Sequence, residues 1–87
     1  MEPESIKVTI LFFGAAADIA RKRNEEFAFP AGTNARAAFE NILAAYPQLS
    51  ERFKGSLLLA VNQEYAKGDE ILNEGDELAF IPPVSGG

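Results

Sequence analysis

Only one stretch of this chain carries a long helical period. Ala35, Ala38, Phe39, Ile42, Leu43 and Tyr46 recur at three- and four-residue spacing, the signature of one apolar helix face. Thr33 reads as the N-cap ahead of them. Pro47 ends the run, because the residue before a proline avoids the helical region. In a chain of 87 residues, one domain's worth, a lone amphipathic helix must bury its stripe against something else, and the rest of the chain reads as strands. One main helix on one face of a sheet is the packing these residues impose.

The strands follow from the same reasoning. Ile6, Val8, Ile10 and Phe12 alternate with Lys7, Thr9, Leu11 and Phe13, a period of two. The even set is apolar throughout and faces the core. The odd set begins polar and turns apolar at Leu11 and Phe13, which then point away from the core. After Gly14, the alanine-rich run from Ala15 to Arg23 predicts a short helix with Arg21, Lys22 and Arg23 at its negative pole. Glu25 to Phe29 reads as a second strand and Pro30-Ala31-Gly32 as a turn. Leu57 to Val61 is an apolar run of buried-strand length, Asn62-Gln63-Glu64 a turn, and Tyr65-Ala66 a brief return pairing. Asn73 to Asp76 turns the chain into a last strand, Glu77 to Ile81, with Leu78 and Phe80 inward and Ala79 and Ile81 outward. The order predicts an α+β fold: a β-grasp roll of the ubiquitin type, a mixed sheet with one main helix packed on one face. The predicted division is a domain over residues 1–81 and an extended tail over 82–87.

Composition removes most chemistry. The chain has no Cys and no His, so disulfides, thiolate nucleophiles, imidazole bases and soft metal ligands are excluded. No metal site and no bound cofactor are expected. A net charge of -5 argues against nucleic acid, which needs a cationic face, and suits a protein partner with a basic patch. No apolar run approaches the ~20 residues of a membrane span, and the acidic start lacks the features of a signal peptide. These readings predict a cytoplasmic protein with no membrane partner.

What remains is the C-terminus. Pro82-Pro83 follows the last strand directly; proline lacks an N–H and cannot extend a ladder. Two prolines favour an extended course and launch Val84-Ser85-Gly86-Gly87 from the globule. Six extended residues reach roughly 20 Å at ~3.3 Å each. Gly86 and Gly87 carry no side chains, so such an arm fits a narrow channel. The reactive group on offer is the α-carboxylate of Gly87. Attack on ATP converts it to an acyl-adenylate, and sulfide attack on that gives a thiocarboxylate.

Over Ile6 to Gly87 the chain resembles the small, sulfur-carrying subunit of molybdopterin synthase. The resemblance rests on Leu11-Phe12-Phe13-Gly14, Leu58-Leu59-Ala60-Val61-Asn62-Gln63, Glu74-Gly75-Asp76-Glu77-Leu78-Ala79-Phe80 and the tail Pro82-Pro83-Val84-Ser85-Gly86-Gly87. It implies a β-grasp fold and activation of Gly87 by a ubiquitin-activating-type adenylyltransferase that uses ATP. It implies insertion of the tail, Pro82 to Gly87, into a large subunit, in a heterotetramer of two large and two small subunits. There sulfur passes to cyclic pyranopterin monophosphate to build molybdopterin. The small subunit is not catalytic alone; the catalytic groups belong to the large one. The resemblance also places Phe13, Tyr65 and Ile81 on the partner surface, and strand parity had already turned Phe13 and Ile81 outward. One departure is visible: where the family often carries Arg-Glu in the short helix, this chain has Ala17-Asp18, so an Arg contact to the large subunit is absent or supplied elsewhere.

Two alternatives share the fold and the Gly-Gly end. One is a sulfur carrier for thiamine, cysteine or tRNA thiolation. The other is a protein modifier conjugated through Gly87 to lysines.

Overall fold

The computed structural model describes residues 4–83. In chain order it contains β1 (Ser5–Phe12), α1 (Ala15–Ala20), β2 (Asn24–Pro30), α2 (Ala35–Ala45), α3 (Pro47–Phe53), β3 (Leu58–Val61), β4 (Glu64–Tyr65) and β5 (Glu77–Ile81). The strands form one sheet in the order β2-β1-β5-β3-β4. β1 and β5 lie parallel at its centre, with Thr9 opposite Glu77 and Phe12 opposite Phe80. The outer pairings are antiparallel. A mixed sheet with the α2 helix on one face is the expected α+β roll, and its topology is that of a ubiquitin-like β-grasp.

The alternation in β1 sorts as its sequence dictates. Ile6, Val8, Ile10 and Phe12 are all buried. From β5, Leu78 and Phe80 join them, and α2 contributes Ala35, Ala38, Phe39 and Ile42. Phe39 meets Phe80 with ring centroids 4.9 Å apart, and Phe12 meets Phe80 at 5.8 Å. This aromatic contact between helix and central strands fixes β5, and so fixes where the chain leaves the sheet.

Three local expectations are corrected. Thr33 does not cap α2. Its hydroxyl donates to the Pro30 carbonyl at 2.6 Å, closing the preceding turn, and Asn34 caps instead, its side-chain oxygen accepting from the Ala37 N–H at 2.8 Å. Pro47 ends α2 but also starts α3 at its first position, where a missing N–H costs nothing. Leu49 anchors that extra helix in the core. The basic trio does not sit on the last turn of α1. The helix closes at Ala20, Arg21 is left-handed (φ 64°), and its N–H donates to the Ala17 carbonyl. Arg23 already joins the sheet, its carbonyl accepting from the Phe12 N–H.

The first turn of α2 is completed from a distant loop. Its orphan amides at Ala35 and Arg36 donate to the carbonyls of Glu70 and Gly68 at 2.8 and 2.9 Å. Gly68 is buried at φ +119°, and a Cβ there would stand 3.1 Å from Arg36 Nε, so the approach requires glycine. The Glu70 carboxylate clamps the loop by accepting from the N–H groups of Lys67 and Gly68 at 2.7 and 2.8 Å. The Lys67 amide is the first cause, and with Gly68 it holds the Glu70 carboxyl below its ordinary range. A carboxyl whose pKa is depressed on folding stabilises above its unfolded pKa and ceases to do so as pH falls through the folded one. Glu70→Gln should therefore melt below wild type at neutral pH, and the gap should close as both are acidified to about pH 3. Parallel thermal melts across that range check it; a gap that persists unchanged in acid would rule the carboxylate out as the clamp.

Candidate functional site

A sheet with its helices on one face leaves the other open. The register places Leu11 of β1, Ala79 of β5, Ala60 of β3 and Tyr65 of β4 in one row across that open face. Ile81 and Leu58 form the next row. Phe13 follows directly from β1, its N–H donating to the Phe80 carbonyl at 3.2 Å. Beyond β1 the face turns polar, with Thr9 opposite Glu26 and Leu11 opposite Asn24. The apolar half therefore lies over β5, β3 and β4, at the end of the sheet where β5 runs out.

These residues enclose a hollow of about 290 Å³, lined by Leu11, Phe13, Ala60, Tyr65, Ala79 and Ile81, with Gln63 and Glu77 at its polar margin. Phe13 is 47% exposed, Leu58 46% and Tyr65 72%. Contiguous large apolar side chains left in solvent mark an interaction surface rather than a core. The three residues expected at a partner surface, Phe13, Tyr65 and Ile81, thus share one hollow.

Two networks hold the rim in place. Asn62, left-handed at φ 50°, bonds through its side chain to Asp76 Oδ1 and to the Glu77 N–H, each at 3.0 Å. Asp76 also accepts from the Asn73 N–H at 2.7 Å. This pins the β3–β4 turn to the start of β5. At the opposite end, the Tyr46 hydroxyl donates to Glu25, which also receives Lys22 Nζ at 3.0 Å. The Tyr46 hydroxyl first, and Lys22 second, hold the Glu25 carboxyl below its ordinary range. Tyr46 in turn stacks edge-on against Phe12, centroids 5.4 Å apart, so the end of β1 that presents Phe13 is braced from below.

On the other side of Phe13, a second hollow is lined by Gly14, Ala17, Asp18 and Arg23. The departure at Ala17-Asp18 is thus flanked by a guanidinium: Arg23 faces the same hollow from the start of β2. Gly14 (φ +52°) brings the α1 turn close to Pro82, whose Cγ would lie 3.8 Å from a Cβ at that position.

β5 stops at Ile81. Pro82 is half-buried and Pro83 exposed, and neither belongs to a strand. The remaining tail positions, Val84, Ser85, Gly86 and Gly87, lie outside the described residues. Sequence reasoning missed Leu58 and Gln63. Leu58 was hidden inside an apolar run that reads as buried on both sides; the signal was that very run, since two apolar faces on one strand need two covers. Among the described residues no helix is long and apolar enough to cross a membrane.

Comparison with known proteins adds to this geometry. Residues 10–87 match the ThiS family. The molybdopterin synthase sulfur carrier subunit of Caenorhabditis briggsae is 44% identical over 84 residues, spanning 94% of this chain and 99% of that protein. SAMP1 from Haloferax volcanii superposes with a TM-score of 0.82 at 27% identity, covering 93% of this chain and 99% of that one. A chain from the complex of subunits 1 and 2 of molybdopterin-converting factor from Helicobacter pylori 26695 superposes with a TM-score of 0.68 at 25% identity, covering 94% and 100%.

Proposed function

From the premise that this chain belongs to the ThiS family, with molybdopterin synthase sulfur carrier subunits among its relatives, we propose that it carries sulfur for molybdopterin synthesis as the small subunit of that synthase. The observation that supports the reading most is the apolar hollow of Phe13, Tyr65 and Ile81, set beside the strand that leads into Pro82-Pro83 and the Gly-Gly end. A large subunit seated on the hollow receives the tail, and the reacting group is Gly87.

The chemistry divides between partners. A ubiquitin-activating-type adenylyltransferase consumes ATP to turn the Gly87 carboxylate into an acyl-adenylate with loss of pyrophosphate. A sulfur donor then displaces AMP and leaves a thiocarboxylate. On the large subunit the thiocarboxylate sulfur forms a C–S bond to a side-chain carbon of cyclic pyranopterin monophosphate as a C–O bond at that carbon breaks. Water then cleaves the resulting thioester, releasing the sulfur on the pterin and returning Gly87 to a carboxylate. The dithiolene has two sulfurs, so two carriers are consumed for each product. This chain positions and delivers; with neither His nor Cys, it brings no imidazole base and no thiolate of its own to the step.

The test is reconstitution. The chain prepared with a C-terminal thiocarboxylate, mixed with a molybdopterin synthase large subunit and cyclic pyranopterin monophosphate, should yield the dithiolene pterin at two carriers per product. The carboxylate form should yield none. Absence of product from the thiocarboxylate form, with branched Gly-Gly remnants on cellular lysines, would make the chain a modifier instead.

A further inference from the structure

The two residues of the β3–β4 turn are both left-handed, Asn62 at φ 50° and Gln63 at φ 73°. That is the type I′ hairpin turn, whose second position favours glycine. For Asn62 the conformation is explained by its own bonds to Asp76 and Glu77. Gln63 takes no part in that network. It is exposed, and it lines the apolar hollow beside Tyr65 and Ala60. Left-handed backbone in a residue other than Gly or Asn is unfavourable, and among the described residues a glycine here would relieve it without loss of any side-chain hydrogen bond. Strain that the fold does not need points to use elsewhere.

The chemistry of the side chain says what that use is. Among the described residues that line the hollow, Gln63 supplies the one carboxamide, beside the Glu77 carboxylate and the Tyr65 hydroxyl. A carboxamide offers a donor and an acceptor side by side, the complement of a main-chain peptide group. A partner that covers the hollow strips water from its own backbone there, and each stripped N–H or C=O must be paired. We propose that Gln63 is a specificity-determining residue of the partner surface, its carboxamide pairing with a main-chain amide of the large subunit as the hollow is covered. The inference rests on the reading of this hollow as the large-subunit surface. A rejected partner is one whose backbone turns away at that point and leaves the carboxamide buried and unpaired.

The experiment measures binding of the full chain to a molybdopterin synthase large subunit by calorimetry, beside thermal melts, for wild type, Gln63→Gly, Gln63→Leu and Ile81→Asp. Gln63→Gly should raise the melting temperature by roughly 4–8 °C as strain is released and weaken binding about tenfold or more. Gln63→Leu keeps the volume and the strain, so it should melt near wild type and bind as weakly as Gln63→Gly. If either Gln63 variant binds like wild type while Ile81→Asp does not, the carboxamide is unused and the inference is overturned, with the surface intact. If Ile81→Asp binds like wild type too, the surface itself is misplaced and both readings fall.

Discussion

Ile81→Asp should weaken the complex with the large subunit by 100-fold or more, on the order of 3 kcal/mol, while the isolated domain loses only about 1 kcal/mol. The asymmetry follows from parity. In the free chain Ile81 faces the open side of the sheet, opposite Leu58 and beside the hollow. It is half-exposed, where the neighbouring Phe80 is fully buried. An aspartate there can keep its water, and its cost is a modest loss of strand preference. Once a partner covers the hollow, the same carboxylate is enclosed among Phe13, Ala79 and Tyr65, and the described residues that line the hollow include no cation; burying an unpaired charge is expensive. Calorimetry against the large subunit and a thermal melt on the same preparation separate the two. Binding within a few-fold of wild type, or a domain that fails to fold, would contradict the assignment of this face.

How far the sequence could be read depended on whether a local rule had a rival. β5 was legible to the residue, Glu77 to Ile81, because alternation defined its body and Pro82 left no alternative to stopping. The outward aim of Phe13 was legible for the same reason, since period two leaves a side chain only two faces. The start of α2 was not. Thr33 and Asn34 are both good caps, and the choice went to Asn34 because Thr33 was already committed to Pro30, a contact set by the preceding turn. α3 was hidden by Pro47, which reads as a terminator yet is equally at home at a first helical position. Leu49 gives α3 one buried anchor, too little pattern to declare a helix. Leu58 could not be placed because every residue of its strand is apolar, and parity is silent where both faces are alike. The tail, Pro82 to Gly87, was the easiest element to see; its last four positions, 84–87, lie outside the described residues, so the role of Gly87 rests on chemistry and not on geometry.

If the α-carboxylate of Gly87 is the reacting group, its position matters more than any side chain in the molecule. An alanine added after Gly87 moves the terminal carboxylate by roughly 3.5 Å, where a misplacement of about 1 Å already costs on the order of 100-fold in rate. The extended chain should fold and melt as wild type does, because Phe39, Phe80 and the rest of the core lie upstream of Pro82. It should still carry the hollow. What it should lose is thiolation. Wild-type and extended protein are incubated with ATP, the adenylyltransferase and a sulfur donor, then weighed intact. Wild type should gain the mass difference between sulfur and oxygen, and the extended chain should gain nothing. An extended chain that is thiolated and sulfurates the pterin as wild type does would place the chemistry elsewhere than Gly87.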